Sequence, residues 1–156
     1  MPAYTVIVAD QRNATIYDLA APAAPLCILD RLVNPAGHRH ERGSGSRAPR
    51  RPKGWNGLRH ALMPRPADRQ HATESFLRAV IAAADRPVPG QQRYEVLLIT
   101  APALQGVFRR LVPRSWNVTV LPGMLVKSPP GELGLAIAEC MISPPARPRR
   151  GWFGAA

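Results

Sequence analysis

Several things are scarce in this chain, and each scarcity excludes something. Of 156 residues only ten are acidic, against 21 lysines and arginines, so the formal charge is +11. Such a field repels polycations and attracts polyanions. Lysine itself is rare: Lys53 and Lys127 are the only two, and the rest of the positive charge is arginine. There are two cysteines, Cys27 and Cys140, neither in a CxxC pair and each among apolar neighbours. That pattern offers no zinc spacing and no disulfide framework, and it predicts two buried, reduced thiols. No apolar run approaches the roughly 20 residues that cross a bilayer. Met1-Pro2-Ala3-Tyr4 lacks the basic start and apolar stretch of a secretory signal, so the expected location is cytoplasmic, without membrane insertion. There is no P-loop and no GxGxxG, and no nucleotide cofactor is expected.

The remaining composition suits one ordinary domain: 46% of residues are hydrophobic, enough for a single core. Tyr4-Thr-Val-Ile-Val-Ala-Asp10 reads as a strand, β-branched and stopped by Asp10 and Asn13. Ala14–Leu19 and Leu26–Val33 read as two more, making an antiparallel meander. From about Asp68 the spacing turns helical, with Ala72, Phe76, Ala79, Val80 and Ala83 as one stripe. Tyr94–Thr100 is nearly all apolar, as in a central parallel strand buried on both faces. A short helix over Pro102–Leu111, a strand over Trp116–Val120 and a last helix over Ser128–Met141 follow, the last with Ser128 as its cap.

The order βββαβαβα predicts an α/β fold with a five-stranded mixed sheet covered by helices, close to a ribonuclease H-like architecture. Right-handed crossovers put the parallel strands on the far side of the first strand from the hairpin. The domain is expected to run from residue 1 to 143, with a Pro- and Arg-rich tail over 144–156 read as disordered.

One stretch has no period at all. Residues 34–66 hold five prolines and five glycines and exceed the usual length of a connection. Here lie Arg39, Arg42, Arg47, Arg50, Arg51, Lys53 and Arg59, together with His38, His40, His60 and Trp55. Arginine forks two hydrogen bonds onto a phosphate, glycine lets backbone approach closely, and tryptophan stacks on an unpaired base. The nucleic-acid contacts are therefore expected at Arg39, Arg42, Arg47, Arg50, Arg51, Lys53, Trp55, Arg59 and His60. The plainer alternative is a solvated loop with no ligand.

Catalysis and metal binding find less support. His38, His40, His60 and His71 complete no recognised metal spacing. Asp10 could serve at a strand end but equally suits the hairpin turn, and no second acid converges on it by pattern. No catalytic residue and no metal site is assigned.

An ordered set of landmarks carries a resemblance. Val6-Ile-Val-Ala-Asp10 is followed by Ala14-Thr-Ile-Tyr17, Leu32-Val-Asn-Pro35, His40-Glu41-Arg42 and Gly57-Leu-Arg-His-Ala61. Later come Phe76, Leu97-Leu-Ile-Thr-Ala-Pro102 and Pro129-Pro-Gly-Glu-Leu133. Over about residues 4–141 the chain resembles the bacterial family called "protein required for attachment to host cells". That family is in turn similar to the middle domain of class-1 peptide-chain release factors of archaea and eukaryotes. The resemblance implies the fold expected above, and a functional loop where residues 34–66 lie. The release-factor loop carries Gly-Gly-Gln, whereas this chain has Gly54-Trp-Asn-Gly57 and no Gly-Gly-Gln. Where the family often has acids, this chain reads Gly43-Ser-Gly-Ser-Arg-Ala-Pro49 and Met124-Leu-Val-Lys127. The expectation is a non-enzymatic module touching RNA or the ribosome. The alternatives are an interaction factor for attachment with an acidic protein partner, and a hydrolase of peptidyl-tRNA or RNA.

Overall fold

The computed structural model describes residues 3–37, 66–85 and 94–143. Five strands form one open mixed sheet: β1 (Tyr4–Ala9), β2 (Asn13–Leu19), β3 (Cys27–Val33), β4 (Tyr94–Thr100) and β5 (Trp116–Leu121). Their order is β3-β2-β1-β4-β5. The meander β1-β2-β3 is antiparallel, and β1, β4 and β5 run parallel. The parallel strands thus sit beyond β1 from the hairpin, as expected. Three α-helices are described, α1 (Pro66–Ala84), α2 (Pro102–Leu111) and α3 (Pro130–Ile142).

The alternation of β-strand side chains divides the core in two. Ile7, Ile16, Val96 and Leu98 point to the face covered by Phe76, Leu77 and Val80 of α1 and Leu104 and Phe108 of α2. Val6, Tyr17, Leu97 and Ile99 point to the other, covered by Leu133 and Ile137 of α3. β4 is buried from Val96 to Thr100 because helices lie on both sides of it and strands on both edges. Full burial of each such aliphatic side chain contributes about 1.5–3 kcal/mol. Trp116 is 2% exposed and its indole N–H donates to Asp85 Oδ1 at 3.2 Å, tying β5 to the end of α1.

Three local expectations are corrected. The buried stripe of α1 is Phe76, Leu77, Val80, Ile81 and Ala84, and Ala79 is exposed. Both stripes have helical spacing, but the observed one buries the larger aliphatics and therefore more area. Ser128 does not cap α3, whose N-cap is Pro129 with no side-chain bond. Instead a 3-10 helix over Gly123–Lys127 precedes it, and the Ser128 N–H closes that helix onto Leu125 O at 3.1 Å. Helix α1 begins at Pro66, close to the expected start near Asp68 and in keeping with proline's fitness for a first turn. Cys27 is exposed and Cys140 half-buried, both as free thiols. Cys27 lies on β3, which among the described residues is paired on one side, with β2.

Candidate functional site

Strands β1, β3, β4 and β5 all end at the same edge of the sheet, and α1, α2 and α3 all begin near it. In open α/β sheets ligands gather at this carboxyl edge. The β4 end is bridged to β1 by the buried Thr100 hydroxyl, which donates to Ala9 O at 2.9 Å. It is also covered by the 3-10 helix: a Cβ on Gly123 would come within 2.8 Å of the Thr100 carbonyl oxygen. The space at this edge lies at the other end, where β3 stops.

That place is built on the β1–β2 turn. Asp10 Oδ1 accepts the N–H groups of Arg12 and Asn13, each at 2.6 Å, and the Asp10 N–H donates to Asn13 O at 2.9 Å. Its carboxylate therefore does the turn work that aspartate commonly does. Asn34, 4% exposed, then locks the end of β3 onto the turn. Its backbone N–H donates to Arg12 O at 2.6 Å and its Nδ2 to Gln11 O at 2.8 Å. Its Oδ1 accepts the Ala36 N–H at 3.1 Å, and its carbonyl accepts the Gly37 N–H at 3.1 Å. Gly37 sits so close that a Cβ there would lie 2.5 Å from Gln11 O.

Two hollows flank this root. One, of about 320 Å³, is lined by Gln11, Asn34, Gly37, Arg69, Gln70 and Thr73. The other, of about 360 Å³ and almost wholly apolar, lies between β3 and α1 against Leu32, Val33, Pro35, Ala72, Phe76 and Ala79. Asn34 and Ala36 line both. Residues 37 and 66, between which the basic segment runs, thus both stand at this edge.

The nine residues expected to contact nucleic acid, Arg39, Arg42, Arg47, Arg50, Arg51, Lys53, Trp55, Arg59 and His60, lie outside the described residues, as does the tail 144–156. His71 is exposed on α1. Among the described residues no three histidines, cysteines or carboxylates gather as a metal cluster would. Glu95 accepts two bonds from Asn117 Nδ2, at 2.8 and 3.0 Å, on the neighbouring strand. No helix among the described residues is long and apolar enough to cross a membrane.

The charge is unevenly spread. The described residues hold eight basic and nine acidic side chains, a net charge of −1. The other thirteen basic residues and Glu41 lie outside them, and eight of those thirteen fall between 38 and 65. The whole excess of +11 therefore belongs to the segments attached to the frame, and that over 38–65 is rooted at the carboxyl edge.

Sequence reasoning missed the root itself. Asn34-Pro35 at the end of the strand Cys27–Val33 was a signal for it, since asparagine before proline marks a turn. What the pattern could not show is that Asn34 reaches back 23 positions to Gln11.

The fold and root define an α/β protein with an open mixed sheet that carries a long basic insertion at its carboxyl edge. Residues 5–133 match the family described as "Protein required for attachment to host cells", and the chain belongs to that family. No curated protein matches it.

Proposed function

We propose that this family member is a non-enzymatic module that contacts RNA, on the ribosome, through the basic segment over 38–65. The observation that carries the reading is the segregation of charge. A near-neutral frame presents a net +7 within 28 residues from one edge of its sheet. Charge concentrated in this way neutralises phosphates locally and leaves the frame free of polyanion attraction. Arg39, Arg42, Arg47, Arg50, Arg51, Lys53 and Arg59 would meet phosphates, and Trp55 and His60 unpaired bases. The five-stranded sheet, the helices on both faces and the position of the insertion support a likeness to the middle domain of release factors and to ribonuclease H-like folds. The missing Gly-Gly-Gln argues that the release reaction is not shared.

Co-sedimentation with ribosomes in low and high salt tests the reading. The wild-type chain is expected in the ribosomal pellet at low salt and in the supernatant at high salt. Arg47→Glu, Arg50→Glu and Arg51→Glu together are expected to release it at low salt too. Undiminished association of that triple variant would sink the proposal, as would recovery of a single acidic protein partner without RNA.

A further inference from the structure

Among the described residues strand β3 is an edge of the sheet beside an apolar hollow, and the two have the makings of a peptide site. Among the described residues β3 pairs with β2 alone. Its register shifts at Ile16/Tyr17 and is regular from Asp30 to Val33, the part nearest the hollow. Ile28, Leu29 and Val33 are 47%, 46% and 59% exposed, high for aliphatic residues on a strand. Across from β3, α1 presents small residues, Ala72, Ser75 and Ala79, at helical spacing. Their size makes the hollow, with Phe76 and Leu32 at its wall.

We propose that this groove docks an extended peptide from a partner protein. The peptide adds to the edge of β3, seats an apolar side chain between Leu32 and Ala79, and places a carboxylate beside Arg69. Edge-strand addition supplies main-chain hydrogen bonds, and a pocket for alternate side chains supplies selection. The carboxylate follows from the adjoining hollow. Arg69, Gln11 and Thr73 offer one cation and further polar groups there, continuous with the apolar groove through Asn34 and Ala36, while the Gln70 amide donates to Glu74 Oε1 at 3.5 Å. A nucleotide base suits the groove less. Among its side chains only Ser75 and Asn34 are polar, and the Asn34 amide is already bonded to Gln11 and Ala36. None of the residues lining the groove is among those invoked for RNA.

The test is fluorescence anisotropy on the full chain with labelled eight-residue peptides of alternating Val and Thr around a central Leu. Two carry an Asp pair, at one end or the other, and a third carries a Lys pair. A fourth matches the Asp peptides with Thr replacing Leu, and reports attraction to the basic segments alone. At least one Asp peptide with Leu is expected to bind at least tenfold more tightly than the Thr and Lys peptides. Ala79→Gln, which fills the groove without adding charge, and Arg69→Ala should each weaken it about tenfold, the scale of losing one anchor, with melting temperature unchanged. The triple arginine variant should keep that Leu preference, which separates this site from RNA binding. Equal binding of the Leu and Thr peptides, or indifference to both Ala79→Gln and Arg69→Ala, overturns the proposal. A dimer dispersed by Ala79→Gln would assign the groove to a second copy. Nuclear Overhauser contacts from Phe76 and Ala79 to residues 38–65 in the free chain would assign it to the chain itself. Either result overturns the proposal as well.

Discussion

The Asn34 side chain donates to the main-chain carbonyl of Gln11 at 2.8 Å, joining the end of the third strand to the turn between the first two. Asn34 is 4% exposed and uses both ends of its amide here, so its removal leaves the part-buried Gln11 carbonyl and Ala36 N–H without this partner. Asn34→Ala should cost about 1–3 kcal/mol, the range for stranding buried polar groups. Asn34→Asp should do no better, since a carboxylate oxygen facing the Gln11 carbonyl repels where the amide attracted. Urea unfolding of both variants checks this, and stabilities equal to wild type would show that the root is not held by Asn34.

Two glycines give opposite expectations for the same substitution. At Gly37 an added methyl would lie 2.5 Å from Gln11 O and 3.0 Å from the Arg12 Cα, backbone that cannot swing aside. At Gly106, inside α2, it would meet nothing within 4 Å. Gly37→Ala should lower the melting temperature. Gly106→Ala should raise stability by up to about 1 kcal/mol, the helix-propensity difference. Calorimetry on the pair decides it, and a stabilising Gly37→Ala would contradict the close approach.

The contact between Arg110 Nη2 and Glu74 Oε1, at 3.0 Å, bridges α2 and α1 at the surface. The Arg110 side chain is 59% exposed, so solvent screens the pair and its worth is under about 1 kcal/mol. Glu74→Gln should therefore destabilise slightly in dilute buffer. The difference should vanish in 1 M salt, where the screening length is about 3 Å. A loss above 2 kcal/mol that survives high salt would mean Glu74 holds something more.

RNA binding by the segment over 38–65 carries its own quantitative mark. For single strands the logarithm of the binding constant falls with the logarithm of salt by about 0.7 for each phosphate neutralised. Arg47→Ala, Arg50→Ala and Arg51→Ala together should make that slope shallower by about 2, if each arginine meets one phosphate. Oligouridylate binding measured over a salt series gives the slope directly, and an unchanged slope would remove these three arginines from the interface.

Much of the frame was legible because it rests on local pattern. β-branched runs closed by Asp10, Asn13 and Pro25, the continuous apolar stretch of β4, and proline at the start of α2 each name an element within a few residues. Element order then limits topology, since right-handed crossovers leave β4 and β5 little choice of place. Where two readings had the same period, local pattern did not decide. Ala79 and Leu77 both fit a helical stripe, and only the sheet's demand for larger side chains turned Leu77 inward. Ser128 looked like a cap, but it ends the 3-10 helix and α3 starts only at Pro130, with Pro129 in the N-cap position.

The amino-acid sequence by itself determined the strands and helices, their mixed sheet and the placing of nearly all excess charge in segments without periodicity. Hydrogen-bonding propensity, side-chain shape and charge are properties of residues and their near neighbours. Only tertiary structure decided where that charge is rooted, which face of α1 is buried, and that β3 borders an apolar groove. Those features depend on groups distant in the chain: Asn34 against Gln11, Gly123 against Thr100, Val33 and Ala79 around one hollow. Their distances are set by how the layers pack, which no local pattern contains.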